Sequence, residues 1–273
     1  MMNEAFFFDG HAPGKQALFG ICSVSEDADH AGFGVLICHA FSEERQKTYR
    51  TTYLIAQRLA EAGIPCMRFD YGGTGDSQGD MSGTTLDTMA EDTVIAYAEA
   101  QKRLSVDKLV ILGIRLGAAN AVAAAEKLPG VEALVLWNPI VEGKRYFRGL
   151  MREEKAIRLG GAPPEDRMYQ VPPGHVELDA EAISETLADQ IRELDLAAAE
   201  PVEAKYLIVG LEGDELEQGQ IARLAARLGE SGIKPECWAG EEQDYWSYES
   251  MYEGFQPART FDATLAWLRG LAE

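Results

Sequence analysis

The sequence predicts an α/β architecture: a mostly parallel sheet with helices on both faces and a helical cap inserted beyond the strand ends. Three observations predict it. Short apolar runs alternate with stretches of helical periodicity, as in GVLIC followed by TTYLIAQRLAEA. Several of those runs end in glycine-rich or small-residue turns, as in RFDYGGTGDSQG and VILGIRLGAA. One long stretch, Val141 to Pro201, interrupts the alternation. Apolar runs that show no polar alternation suit strands covered on both faces.

In chain order, strand-like pieces occur around Phe6 and from Leu18 to Val24. Gly34 to Cys38 is the next strand, followed by a helix from about Thr51 to Ala62. Ile64 to Asp70 is a strand that leads into the glycine-rich loop, and Leu86 to Leu104 reads as a helix. Lys108 to Gly113 is a strand running into a helix over Ala118 to Leu128, and Glu132 to Pro139 is another strand. After the interruption come a strand at Lys205 to Asp214, a helix at Gln218 to Leu228, a weaker strand in KPECWAG and a closing helix from Phe261 to Leu271.

Right-handed crossovers then bring the C-terminal ends of the strands, with their loops, to one edge of the sheet. The implied domain organisation is a core of residues 1–140, a helical cap or lid of residues 141–201, and a second core part of residues 202–273. Within the insertion no strand is evident. VEGKRYFRGLMREEKAIRLG reads as a basic helix, and GAPPEDRMYQVPPGH as a proline-rich loop. DAEAISETLADQIRELDL reads as an amphipathic helix, with Ile183, Leu187, Ile191 and Leu194 on one face. Both a gating lid and a set of plain packing helices fit this pattern.

The 273 residues carry 45 acidic and 25 basic side chains, a formal net charge of -20. That balance excludes nucleic acid and anionic membrane surfaces as partners by repulsion. Neither a basic leader nor a bilayer-length apolar run is evident, so no transmembrane segment and a cytoplasmic location are expected. Cys22, Cys38, Cys66 and Cys237 lack paired spacing and read as buried reduced thiols. No metal site and no cofactor are expected.

The chemistry centres on GIRLG, Gly113 to Gly117. This is the spacing of a nucleophile elbow, G-x-S-x-G, in which small flanking residues let strand and helix backbones nearly touch. Here the central residue is Arg115, which is no nucleophile.

Together with ICHAF (Ile37 to Phe41), RFDYGGTGDSQG (Arg68 to Gly79) and GLEGDEL (Gly210 to Leu216), the elbow resembles the α/β-hydrolase fold, in its serine aminopeptidase and carboxylesterase-like group. GIRLGA, HAFSEERQK and LVLWNPIVEGKRYF further resemble hydrolase-like proteins that accompany exosortase and exopolysaccharide systems. The resemblance implies that Arg115 takes the nucleophile's position and Asp214 that of the triad acid. It implies that the backbone N–H groups of Phe41 and Leu116 are the oxyanion donors. A histidine is then due in AGEEQDYWSYE, but that segment holds only Gln243 and Asp244 at about the right place. The four histidines, His11, His30, His39 and His175, all precede Asp214. Cys38 and His39 are adjacent on a strand and point to opposite faces, so they form no dyad. His39 either lines the pocket or braces its loop. Ser77 has a structural place in the resembling family.

Arg115 admits two readings. The guanidinium is a fork of donors suited to a carboxylate or phosphate. It either holds an acidic side chain of the protein itself, with Glu43, Glu44, Asp70, Asp214 and Asp244 as candidates, or clamps an anionic group of a ligand. In the second reading Lys144, Arg145, Arg148 and Arg152 add attraction from above. The expected protein is hydrolase-like with a degenerate triad, acting as a binding or accessory protein linked to exopolysaccharide or exosortase systems. Its expected partners are a small anionic or acyl ligand at His39, Ser42, Glu43, Glu44 and Asp244, and a protein reached through the cap. The rival expectation is an ester or acyl hydrolase with a displaced nucleophile such as Ser42.

Overall fold

The computed structural model describes residues 2–10, 16–25, 31–160, 171–178 and 181–272, with the side chains of 156–160 left aside. Eight strands form one sheet: β1 (Met2–Asp9), β2 (Ala17–Val24), β3 (Gly34–Cys38), β4 (Cys66–Phe69), β5 (Leu109–Ile114), β6 (Ala133–Trp137), β9 (Lys205–Leu211) and β10 (Glu236–Gly240). A separate hairpin holds β7 (His175–Leu178) and β8 (Glu181–Ser184). The large sheet runs β1-β2-β4-β3-β5-β6-β9-β10. β2 pairs antiparallel with both β1 and β4, while the pairs from β4 to β10 are parallel.

The helices are α1 (Ser42–Glu61), α2 (Leu86–Leu104), α3 (Leu116–Ala125), α4 (Gly143–Gly160), α5 (Glu185–Glu193), α6 (Glu215–Glu230), α7 (Tyr248–Glu253) and α8 (Ala258–Ala272). They divide between the two faces of the sheet. One face is packed by α2, α3 and α6 through Met89, Ala96, Ala121, Ala125, Leu224 and Leu228, against Leu36, Ile111 and Leu134. The other is packed by α1 and α8 through Ile55, Leu59, Phe261 and Leu268, against Val35, Ile37, Val110 and Val135. Every residue of β3, β5 and β6 is buried, which is why their sequences show no alternation.

Two local features differ from the sequence reading. α1 begins at Ser42 rather than near Thr51. Its first turns bury Glu44, Lys47, Thr48, Thr51 and Thr52, a polar stripe that hydrophobic periodicity does not register. Within the insertion, a β-hairpin stands where no strand was expected, and Ile183 lies on β8 instead of on a helix. The helix is confined to Glu185–Glu193 and is capped by Ser184, whose hydroxyl accepts the Leu187 N–H at 3.1 Å. Residues 161–170, in the expected proline-rich loop, lie outside the described residues, as do His11 and His30.

α4, the hairpin and α5 share the apolar cluster on the α2 and α3 face through Phe147, Leu150, Leu178, Leu187 and Ile191. α5 is also tied to the start of α2. The Leu86 N–H donates to Gln190 Oε1 at 2.8 Å, and Gln190 Nε2 donates to Asp87 Oδ2 at 2.7 Å.

Candidate functional site

The turn between β5 and α3 is built as its sequence demands. Arg115 sits at φ 55° and ψ -120°, a conformation of the kind that costs a non-glycine residue on the order of 1–3 kcal/mol. A Cβ on Gly113 would meet Ala118 Cα at 2.4 Å, and one on Gly117 would meet the Cys38 and His39 carbonyl oxygens at 2.4 Å. Only glycine permits that approach of strand and helix.

The strained turn aims Arg115 across the sheet edge at α1. Its Nε–H and Nη2–H donate to Glu44 Oε1 at 3.2 and 3.0 Å, and its Nη1–H donates to the Asn138 carbonyl at 3.2 Å. The second oxygen of Glu44 accepts the hydroxyl of Tyr146, on α4, at 2.9 Å. The indole of Trp246 lies over the guanidinium, 4.2 Å from Cζ to the ring centroid. Burial opposes the charge of Arg115. The Glu44 carboxylate, together with Tyr146 and Glu217, outweighs it and holds the guanidinium above its ordinary range, so it stays charged.

Asn138 joins the cluster to the other strands. It follows β6 at φ 45° and is fully buried. Its Nδ2 donates to Glu217 Oε1 at 2.8 Å, and its Oδ1 accepts the Tyr245 hydroxyl at 2.7 Å. Glu217 Oε2 is buried without a hydrogen-bond partner, and desolvation raises the pKa of that carboxyl although Arg115 pulls the other way.

Glu44, Arg115, Tyr146, Glu217 and Trp246 form one wall of a cleft of about 1000 Å³ bounded by α4, the start of α6 and the loop after β10. Nine carboxylates line it against three cations, Lys47, Arg115 and Arg145. Among the described residues, none of those lining it is a histidine or a cysteine.

The residues singled out in the sequence scatter around this cleft. Asp214 lines it, but its Oδ1 accepts the N–H groups of Leu216 and Glu217 at 3.1 and 3.0 Å and caps α6. Asp244 lines it, and its carbonyl accepts the Ser250 hydroxyl. Glu43 pairs with Lys47 at 3.0 Å, and Asp70 with Arg45 at 2.6 Å. Ser42, at φ 54°, is not among the lining residues. Phe41 follows β3 and Leu116 follows β5, and since those strands are neighbours, both amides reach the same sheet edge.

Cys38 turns toward α2, with Sγ 3.9 Å from Thr93 Oγ1, while His39 lines a separate small cavity. Ser77 braces its loop: its hydroxyl accepts the Phe19 N–H at 2.9 Å and donates to the Asp70 carbonyl at 2.6 Å. His175 lies on β7, with Nδ1 3.0 Å from the Pro173 carbonyl oxygen. Of the basic residues Lys144, Arg145, Arg148 and Arg152 singled out on α4, Arg145 alone lines the cleft. Three cysteines are buried as expected, but Cys237 is exposed.

Sequence reasoning missed Asn138, Tyr146, Glu217, Tyr245 and Trp246. A signal existed for Asn138, which ends a buried strand and precedes a proline in LWNP. Trp246 comes from the very segment searched for a histidine.

Residues 30–190 match the family described as serine aminopeptidase, S33. The chain belongs to that family. Over 123 residues it is 27% identical to a 31.7 kDa protein of the traX-finO intergenic region of Escherichia coli, a match covering 44% of this chain and 42% of that one. The chain thus matches less than half the length of this curated relative.

Solved structures match over nearly all of it. A thermostable carboxyl esterase from Bacillus coagulans in complex with glycerol superposes with TM-score 0.67 and 14% identity, covering 100% of both chains. An esterase from Exiguobacterium antarcticum superposes with TM-score 0.64 and 16% identity, covering 97% of this chain and 100% of that one. A protein from Agrobacterium vitis gives TM-score 0.62 and 15% identity, covering 100% of this chain and 99% of that one. At these identities the likeness establishes the α/β-hydrolase fold.

Proposed function

We propose that this chain is a hydrolase-fold protein that does not perform acyl-transfer hydrolysis and works instead as a binding or accessory protein. The observation that carries the reading is the state of the elbow. The residue at the nucleophile's position is a guanidinium held on both N–H edges by Glu44 and the Asn138 carbonyl. Among the described residues no imidazole lines the cleft to move a proton, and a triad that lacks two members loses most of its rate. The resemblance assigns the oxyanion position to the amides of Phe41 and Leu116, and no nucleophile accompanies them there.

The ligand that fits this cleft carries positive charge. Glu44 already neutralises the one cation at the elbow, and the carboxylates around it outnumber the cations three to one. An anionic group entering there meets repulsion, while an amine or a basic side chain is drawn in. A setting in exopolysaccharide or exosortase systems rests on the resemblance of the GIRLGA and HAFSEERQK segments.

The competing reading is an ester or acyl hydrolase with a displaced nucleophile. Its support is the family and the full-length likeness to esterases. Exposure of the purified protein to fluorophosphonate probes and to p-nitrophenyl esters separates the two readings. Absence of labelling and turnover is expected, and a labelled serine would establish the enzyme.

A further inference from the structure

A second polar cavity lies on the other flank of α1. Glu44 and Arg45 are successive on that helix and diverge by about 100°. Glu44 faces the acidic cleft, while Arg45 faces a small space of about 20 Å³ between α1 and the strands β2, β3 and β4. Phe19, Ile21, Ile37 and Phe69 supply its apolar walls, and the other lining residues carry polar groups, His39, Arg45 and Arg68 among them. His39 Nε2, Arg45 Nε and Arg68 Nε are buried and have no hydrogen-bond partner among the described residues. They make up half of the six buried side-chain atoms in that condition. Buried polar atoms are rarely left unpaired, and three around one space imply an occupant that meets them.

We propose that this cavity binds a single small inorganic anion of halide size, held by the Nε–H groups of Arg45 and Arg68 and by His39. The volume admits one occupant of about that size. The charges choose its sign. Two guanidiniums line the cavity against one carboxylate, Asp70, which is already engaged by Arg45 at 2.6 Å and by the Asp76 N–H at 3.0 Å. The surplus is one positive charge beside Phe19, Ile21, Ile37 and Phe69, which offer an anion no competing charge.

The anion enters with a proton. His39 Nδ1 lies 2.6 Å from the Ala40 carbonyl and donates to it, so in the neutral ring Nε2 is a bare acceptor, 3.9 Å from Asp70 Oδ1. A bound anion makes protonation of Nε2 favourable, and by linkage protonation tightens the anion. Without such an occupant, burial and the charge of Arg45 press the imidazole down to about 4. The charged and titratable groups around His39 are Arg45 and Tyr49 of α1, Arg68 of β4, and Asp70 and Tyr71 just after it. Glu181 of β8 also feels the charge of Arg45.

Two measurements test the site. Crystals soaked in sodium bromide should show an anomalous peak in contact with Arg45 Nε and Arg68 Nε. In solution, chloride should raise Tm saturably over gluconate, which is too large for the space, at equal ionic strength. A rise of about 2 °C is expected at a chloride concentration ten times the dissociation constant. The rise should grow from pH 8 to pH 5 and vanish in Arg68→Met. No peak, together with equal Tm in both salts, would mean that a water molecule meets these atoms, and the proposal would fall. Should Arg68→Met not fold, the soak and the salt comparison on the unaltered protein decide the matter.

Discussion

Arg115 and Glu44 form a buried ion pair, Nη2 to Oε1 at 3.0 Å, between the tip of the elbow and the first turn of α1. Their side chains are only 13% and 8% exposed, so each charge depends on the other in a region of weak screening. The turn that in hydrolases presents a nucleophile here presents one half of that pair.

Breaking it from one side should therefore be costly. Glu44→Ala leaves a guanidinium without its counter-charge, a change that typically costs about 3–5 kcal/mol. Urea unfolding should show that loss, and the double variant Glu44→Gln, Arg115→Met should recover most of it. A single variant as stable as the parent would mean that Asn138 and Trp246 alone suffice to hold the arginine.

Arg115→Ser restores G-x-S-x-G spacing but should not restore catalysis. The serine would face a cleft without histidine, and Glu44 would lose its cation. Hydrolysis of p-nitrophenyl acetate should stay at the buffer rate. Measurable turnover would reveal a base supplied from elsewhere in the chain.

His39 makes stability fall on the acid side. In the folded chain its pKa is held down to about 4 by burial and by Arg45, against an ordinary histidine value of 6.5. The unfolded chain takes up the proton first, so stability is full above 6.5 and is lost as pH falls toward 4. The loss attributable to this ring is about 3 kcal/mol in a buffer of bulky anions. Because carboxylates titrate nearby, the measurement is the difference between the parent and His39→Gln, whose acid limb should be flatter. Parallel curves would contradict it.

Glu217 acts in the opposite sense. Desolvation raises its pKa, so its ionised form works against the fold, and the penalty appears as pH rises through that raised value. Glu217→Gln keeps an acceptor for Asn138 and removes the charge. It should stabilise the protein by an amount on the order of 1 kcal/mol or less at pH 8 and by almost nothing at pH 4. Thermal unfolding at the two pH values checks it.

A thiol reagent should find one fast cysteine in the native protein. Cys237 is exposed, whereas burial pushes Cys22, Cys38 and Cys66 up to about 12. Stoichiometry of one before denaturation and four after it is expected.

The fold was legible because its central strands are buried on both faces and its turns require glycine. Val35 to Ile37, Val110 to Leu112 and Leu134 to Leu136 announce themselves by composition alone. The elbow was legible for the same reason, since Gly113 and Gly117 leave no room for a side chain. The start of α1 was not legible, because its buried face is built from Glu44, Lys47, Thr48 and Thr51, and those residues look solvent-facing in sequence. The β7–β8 hairpin was hidden by its length: four residues a side give no period to read. Which acid would meet Arg115 was open among five candidates. The choice of Glu44 depends on the crossing of α1 over the end of β5, a three-dimensional fact. Asn138 and Tyr146 join the cluster through hydrogen bonds spanning 23 and 102 residues, beyond any local pattern.

Those separations impose an order on synthesis. When the first half of the chain has left the ribosome, Glu44 and Arg115 are both present and can neutralise each other. The free oxygen of that carboxylate still awaits Tyr146 of α4, and the open face of the guanidinium awaits Trp246 near the end. The elbow is thus completed last, by residues from α4 and the C-terminal quarter, and a nascent chain stalled before residue 246 would carry the turn with its aromatic cover missing.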